Sequence, residues 1–186
     1  MTKPADEALD PGALALRMAG YVAAESFGTG PRAALRRLDP RDPGMLAEPA
    51  LQRLLVQMLP DAWSGMQVMR DWALLAHVLA LAAPGLQSGG MAFGAALYAA
   101  GYSETRLLRL LEADRAALTA LLPRACRFVI AKAQPLKPPE LIGLIRAASS
   151  NDAADLERVR TNIARAYYRA ERDASRSAQS NQAEVP

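Results

Sequence analysis

An all-α helical bundle of eight or nine helices is the fold class this sequence predicts. Three observations predict it. Ala, Leu and Arg dominate the 186 residues, 51% are hydrophobic and only 5% are aromatic. Those dominant residues are good helix formers, while β-branched residues are scarce. Apolar positions recur at three- and four-residue steps along most of the chain, which is the helical period. No stretch carries a convincing strand pattern. The length suits one ordinary domain or two small lobes sharing a core.

In order along the chain, residues 1–10 are polar and expected to be disordered. A first helix is expected over 11–25, capped by Asp10 with Pro11 in its first turn. Leu14, Met18, Tyr21 and Val22 give it an apolar face. Gly28 to Pro31 break it. A short second helix over 31–38 sets Arg32, Arg36 and Arg37 on one side and Leu35 and Leu38 on the other. Cations at a helix start oppose the helix dipole. The cluster is therefore either a solvated face or a phosphate-seeking one behind a glycine turn.

A turn-rich loop leads to a helix over 48–58, with Leu51, Leu54, Leu55 and Met58 inward, ended by Pro60. Asp61 can cap the next helix, over 62–83. It carries Trp72, Leu75, Ala76 and Leu79, and also His77, the single histidine. On so apolar a helix, His77 reads as a hydrogen-bonded core residue. The loop over 84–90 is the expected lobe boundary, with an N-lobe at about 11–83 and a C-lobe at about 91–173.

GMAFGAALYAAG then makes a smooth helix, and the cost of an interior glycine suggests tight packing at Gly94. It is no dinucleotide fingerprint, because no strand precedes it. Gly101 and Ser103 suit a C-cap and an N-cap. The next helix should turn Leu107, Leu108 and Leu111 inward, with Arg106 and Arg109 elsewhere. Asp114 is placed to cap or kink the start of a next helix, whose core face is Leu118, Leu121, Leu122, Ala125, Phe128 and Val129. That helix should bend at Pro123, with Arg124, Arg127 and Lys132 beyond the bend. Its Cys126, the single cysteine, reads as a buried inert thiol and excludes an internal disulfide. A helix follows KPPE, with Leu141, Leu144 and Ile145 buried.

The last helix, over 152–173, carries two stripes. Leu156, Val159, Ile163, Tyr167 and Ala170 form an apolar face that must dock. Arg158, Arg165, Arg169 and Arg172 line up on a second face, within roughly 60°. Only Asp155 and Glu171 are placed to relieve that row, Asp155 by pairing with Arg158. The row suits either a solvated face or an anionic partner. Residues 174–186 are polar and expected to be disordered.

The formal charge is +3, and it is uneven: residues 1–100 hold 8 basic and 9 acidic residues, and residues 101–186 hold 14 and 10. The positive excess sits in the second half, as in a partial anionic footprint. No Walker motif, HExxH, metal-ligand cluster or catalytic triad is readable. No cofactor, metal or catalytic residue is therefore assigned, and the protein is expected not to be an enzyme. The longest apolar run, about a dozen residues, is shorter than the roughly 20 that a membrane span needs. With no signal peptide visible, the chain reads as cytoplasmic.

Three stretches together resemble the CasB family, the small subunit of the type I-E CRISPR effector complex called Cascade. They are GPRAALRRL (30–38), FGAALYAAGYSETRLLRLLEADR (93–115) and ARAYYRA (164–170). Trp72 in DWALLAHVLALAA also fits the family's tryptophan-led helix. Pro138 and Pro139 depart from the family's pattern, as does the long tail. The resemblance implies two small helical lobes, no catalysis and two copies packed head to tail. It also implies contact with the backbone and large Cascade subunits, and a basic surface facing guide RNA and the target and displaced DNA strands. That surface would help hold the R-loop open. The residues carried over are Arg32, Arg36, Arg37, Arg106, Arg165 and Arg169, with Arg124 and Arg127 matching a basic cluster in the helix that follows. Two other classes remain: a scaffold whose arginines dock acidic proteins, and an enzyme using His77 or Cys126.

Overall fold

The computed structural model describes residues 10–83 and 90–183. Among these the chain forms nine α-helices, three short 3-10 turns and no strand. In chain order the helices are α1 (Pro11–Ala23), α2 (Thr29–Arg37), α3 (Pro49–Met58), α4 (Met66–Ala82) and α5 (Phe93–Ala99). Then come α6 (Glu104–Leu111), α7 (Arg115–Ala131), α8 (Pro138–Ser149) and α9 (Ala153–Ala183).

The bundle is built around α4. Every residue from Trp72 to Ala80 on it is at most 2% exposed. A helix apolar on all sides has nowhere to go but the core, and α1, α2, α3, α7 and α8 surround it. Its one buried carboxylate, Asp71, is a hub. Asp71 Oδ1 accepts hydrogen bonds from Gln67 (3.0 Å), Arg115 (2.9 Å) and Ser149 (2.7 Å), so it ties α4 to α7 and α8. Burial pushes this carboxyl above the usual range, and the bonds from Ser149, Arg115 and Gln67 pull it back.

The second organising contact is α5 on α9. Gly94 permits it: a Cβ there would lie 2.0 Å from the Ile163 carbonyl oxygen and 2.8 Å from the Tyr167 nitrogen. The two backbones touch, as the glycine's position in the sequence suggests. The start of α5 has no cap of its own. Instead the Phe93 N–H donates to Glu140 Oε2 of α8 at 2.7 Å.

One continuous core runs from Leu14 to Tyr167. Across residues 84–90, α1 and α4 both pack on α8 and α4 packs on α7. The expected lobe-boundary loop itself, except Gly90, lies outside the described residues, as do 1–9 of the N-terminal segment.

Several local expectations are corrected. The helix expected over 62–83 begins only at Met66, because Ser64 and Gly65 separate it from a 3-10 turn at Asp61–Trp63. On α6, Leu110 is buried, while Leu108 is 44% exposed, so the inward set is Leu107, Leu110 and Leu111. Ser103 sits at the N-cap of α6 without a side-chain cap bond, whereas Asp114 caps α7 by accepting from the Ala117 N–H. Finally, α9 does not stop near residue 173 but runs to Ala183. Its Ala, Arg and Gln residues propagate helix from the packed turns. Ser175, Ser177 and Ser180 each bond the carbonyl four residues back. Residues 171–180 are all exposed, so this end of α9 stands off the body.

Candidate nucleic-acid interface

Among the arginines, two populations emerge. The first is turned onto the protein's own backbone. Arg32 donates through Nε to the Val22 carbonyl (3.0 Å) and through Nη2 to the carbonyls of Ala23 (3.4 Å) and Ala24 (2.8 Å), at the C-terminus of α1. Arg36 donates to the carbonyls of Ala80 and Ala83, both at 2.8 Å, at the C-terminus of α4. Arg17 donates to Met58 at the end of α3 (3.1 Å), and Arg160 to Ala113 after α6 (2.9 Å). The last carbonyls of a helix lack intrahelical partners and carry negative partial charge. Neither α1, α3 nor α4 has a basic residue in its own last turn. An arginine from elsewhere supplies the cation to each. Sequence reading missed Arg17 and Arg160 in this role, and it placed Arg32 and Arg36 with the outward charges. No local pattern reveals such a bond, because partner and donor are 8 to 47 residues apart.

The second population faces outward. On α9, the apolar stripe docks as expected, with Ile163 and Tyr167 buried and Leu156 and Val159 packed against the core. Arg158, Arg165, Arg169 and Arg172 are all exposed. Arg158 pairs with Asp155, and Arg172 with the adjacent Asp173 at 3.0 Å. Arg165 and Arg169 make no ion pair among the described residues. The tyrosines between them hold the helix in place. Tyr167 Oη donates to the Tyr102 carbonyl and Tyr168 Oη to Glu104, both at 2.7 Å. The Glu104 bond pushes the Tyr168 hydroxyl up to about 12. The ARAYYRA stretch therefore meets the YSE stretch directly. Their tyrosines and glutamate fix the rotation of α9, and that rotation sends its arginines into solvent.

Arg106, Arg124 and Arg127 are also exposed. Arg106 lies over the Phe128 ring, 5.7 Å from its centroid, which draws this α6 cation onto α7. Arg124 and Arg127 stand one turn apart on α7, beside a cavity of about 230 Å³. The cavity lies between α7 and the loop after α2, with Arg41 and Asp39 on its far side and His77 lining it. α7 runs unbroken through Pro123. The proline removes the hydrogen bond to the Thr119 carbonyl, and both residues line the same cavity. Arg37 is exposed among Asp39, Asp42 and Glu48.

His77 and Cys126 are in the core, as expected. Burial pushes the Cys126 thiol well above its ordinary value, which keeps it protonated and a poor nucleophile. His77 bonds the Leu35 carbonyl at 2.9 Å through Nδ1. No group of three metal-ligating side chains occurs among the described residues, and no helix there is long and apolar enough to cross a membrane.

Fold and site together define an all-α bundle that carries its chemistry as surface charge, with its thiol shut inside and its imidazole buried against a basic cavity. A family model described as CRISPR-associated protein Cse2 matches residues 31–168. The chain belongs to that family, the CasB small subunits of type I-E Cascade, and so is a subunit of a CRISPR Cascade complex. No curated protein and no solved structure matches it.

Proposed function

We propose that this Cascade subunit binds nucleic-acid backbone without reading sequence and helps hold the R-loop between guide RNA and target DNA open. The observation that carries the reading is the outward row on α9, where Arg165 and Arg169 have no ion pair among the described residues. Arg106, Arg124, Arg127, Arg158 and Arg172 extend that positive surface, and Arg37 adds a more acid-flanked position. Guanidiniums on phosphates position a duplex or strand but carry no sequence information. Heteroduplex formation is close to balanced, so a few backbone contacts suffice to tip it. The partners in this reading are guide RNA, the target and displaced strands, the backbone and large Cascade subunits, and a second copy of the chain. Catalysis has no part in it.

A second reading has its own support. Two of the outward arginines already meet carboxylates, Arg158 with Asp155 and Arg172 with Asp173, as they would on an acidic protein surface. In a scaffold subunit the outward ones would dock such surfaces. Binding of the purified protein to labelled single- and double-stranded DNA over a salt series separates the two. Nucleic-acid binding gives a linear fall of log affinity with log salt. No binding at low salt, with retention of the other Cascade subunits in a pull-down, supports the scaffold.

A further inference from the structure

The cavity beside α7 is built differently from the rest of the basic surface. Its rim holds three exposed guanidiniums, Arg41, Arg124 and Arg127, and one carboxylate, Asp39. Asp39 is held by Arg41 at 3.0 Å. Three positive charges and one negative leave the cavity at +2 with His77 neutral. At about 230 Å³ it has room for several waters, and so for one tetrahedral oxyanion.

The histidine supplies a second observation. His77 is 2% exposed, yet its ring lines this cavity. A carbonyl can only accept, so the 2.9 Å contact with Leu35 puts a hydrogen on Nδ1. Nε2 is then the ring's unprotonated nitrogen, and it has no hydrogen-bond partner among the described residues. A buried imidazole whose tautomer is fixed on one side and whose other nitrogen lacks a partner beside three arginines suits an oxyanion. Protonated at Nε2, the ring becomes a donor and adds a third positive charge to the net +2.

We propose that this cavity is a site for a single phosphate group, gripped by Arg124, Arg127 and Arg41 at the rim and by His77 Nε2–H at the floor. Binding takes up one proton from solvent onto Nε2, and no covalent bond forms or breaks. Without the anion, burial, and then Arg127, hold the ring neutral, while the Leu35 carbonyl and Asp39 pull the other way. Asp39 and Arg41 from the loop and Arg124 and Arg127 from α7 are the charged groups facing it. A phosphate reverses the local field, so phosphate and proton bind with positive coupling, and each strengthens the other equally. The group can be a backbone phosphodiester or a free phosphate ester. The proposal extends the nucleic-acid reading at Arg124 and Arg127 and shares those two residues with it.

His77 is the single histidine, so its ring signals in a nuclear magnetic resonance pH titration of the full chain are unambiguous. The titration is run in phosphate-free buffer, then with inorganic phosphate, with a nucleoside 5′-monophosphate and with a short oligothymidylate. Oligonucleotide binding is followed in the same samples by fluorescence anisotropy. The expected result is a rise of about one unit in the His77 midpoint, equivalent to about tenfold tighter anion binding by the imidazolium. The rise should vanish in Arg124→Gln/Arg127→Gln, whose exposed side chains leave the fold intact by circular dichroism. A rise with the oligonucleotide alone assigns the site to backbone phosphate. A rise with phosphate and the monophosphate alone assigns it to a free ester. A His77 midpoint unmoved by all three ligands overturns the site. If the oligonucleotide still binds by anisotropy in that case, the nucleic-acid reading stands without it. A rise that persists in the double variant also overturns it.

Discussion

Arg36 Nη2 lies 2.8 Å from the carbonyl oxygen of Ala83, and Arg36 Nε lies 2.8 Å from that of Ala80. A side chain of α2 thus closes the end of the central helix. Arg32 does the same for α1, and Arg17 for α3. Each of these helices ends without a cation of its own.

Replacing Arg36 by alanine therefore should lower stability while leaving nucleic-acid affinity unchanged. Charge-assisted hydrogen bonds contribute about 1.5–3 kcal/mol when buried. Arg36 is partly exposed, so a loss of about 1 kcal/mol is expected from urea unfolding. Arg32→Ala, whose guanidinium is better covered, should cost about 2 kcal/mol. A stable Arg32→Ala protein with weakened DNA binding would place that side chain on the interface instead.

Gly94 is where α5 and α9 touch. Alanine there gains about 1 kcal/mol of helix propensity. It also drives a Cβ to 2.0 Å from the Ile163 carbonyl. Backbone cannot yield as a flexible side chain can, so the clash wins. Gly94→Ala should lose about 3 kcal/mol net, at the upper end of overpacking costs. A chemical-denaturation midpoint at or above that of the parent would show that the helices can slide apart.

Arg165 and Arg169 point into solvent because the neighbouring Tyr167 and Tyr168 are held by Tyr102 and Glu104. If the α9 row neutralises about four phosphates, affinity falls roughly 100-fold between 50 and 200 mM salt. Arg165→Ala/Arg169→Ala should flatten the log–log slope by about two. A slope unaltered in the double variant would remove α9 from the binding surface.

The His77 ring titrates below its ordinary value, chiefly because it is buried. The unfolded chain therefore binds a proton that the folded chain refuses. With more protons bound in the unfolded state, stability rises with pH through this window and is lost as pH falls below about 6.5. Unfolding free energy in phosphate-free buffer should drop between pH 7 and pH 5. His77→Gln should flatten that drop. An equally steep slope in the variant would trace it to other groups. Asp71 contributes with the opposite sign. Its carboxyl is raised by burial, so its contribution is lost as pH rises through that raised value.

Much of the fold is legible in the sequence. The helical period finds each of the nine helices, because a helix is a local structure whose apolar face must repeat every three or four residues. Asp10 and Asp114 as caps, Gly94 as a contact point and the two stripes of α9 follow from the same locality. The stop of α9 was not legible. Polar composition alone does not tell a helix propagating from packed turns from a chain that has left the fold.

The arginine assignments mark the boundary between sequence and structure. Spacing alone determines which arginines share a helix face, and it determined the α9 row. Tertiary structure decided whether each face meets water or a carbonyl from another helix. Arg32 and Arg36 share one short helix with Arg37, yet two of the three are spent on the ends of α1 and α4. The ring of His77 reaches the same cavity as Arg41, Arg124 and Arg127 although these residues are far apart in the chain. A helix end or a cavity wall becomes a partner only when packing brings it within hydrogen-bond reach. That reach is fixed by the shared core, and no local pattern encodes it.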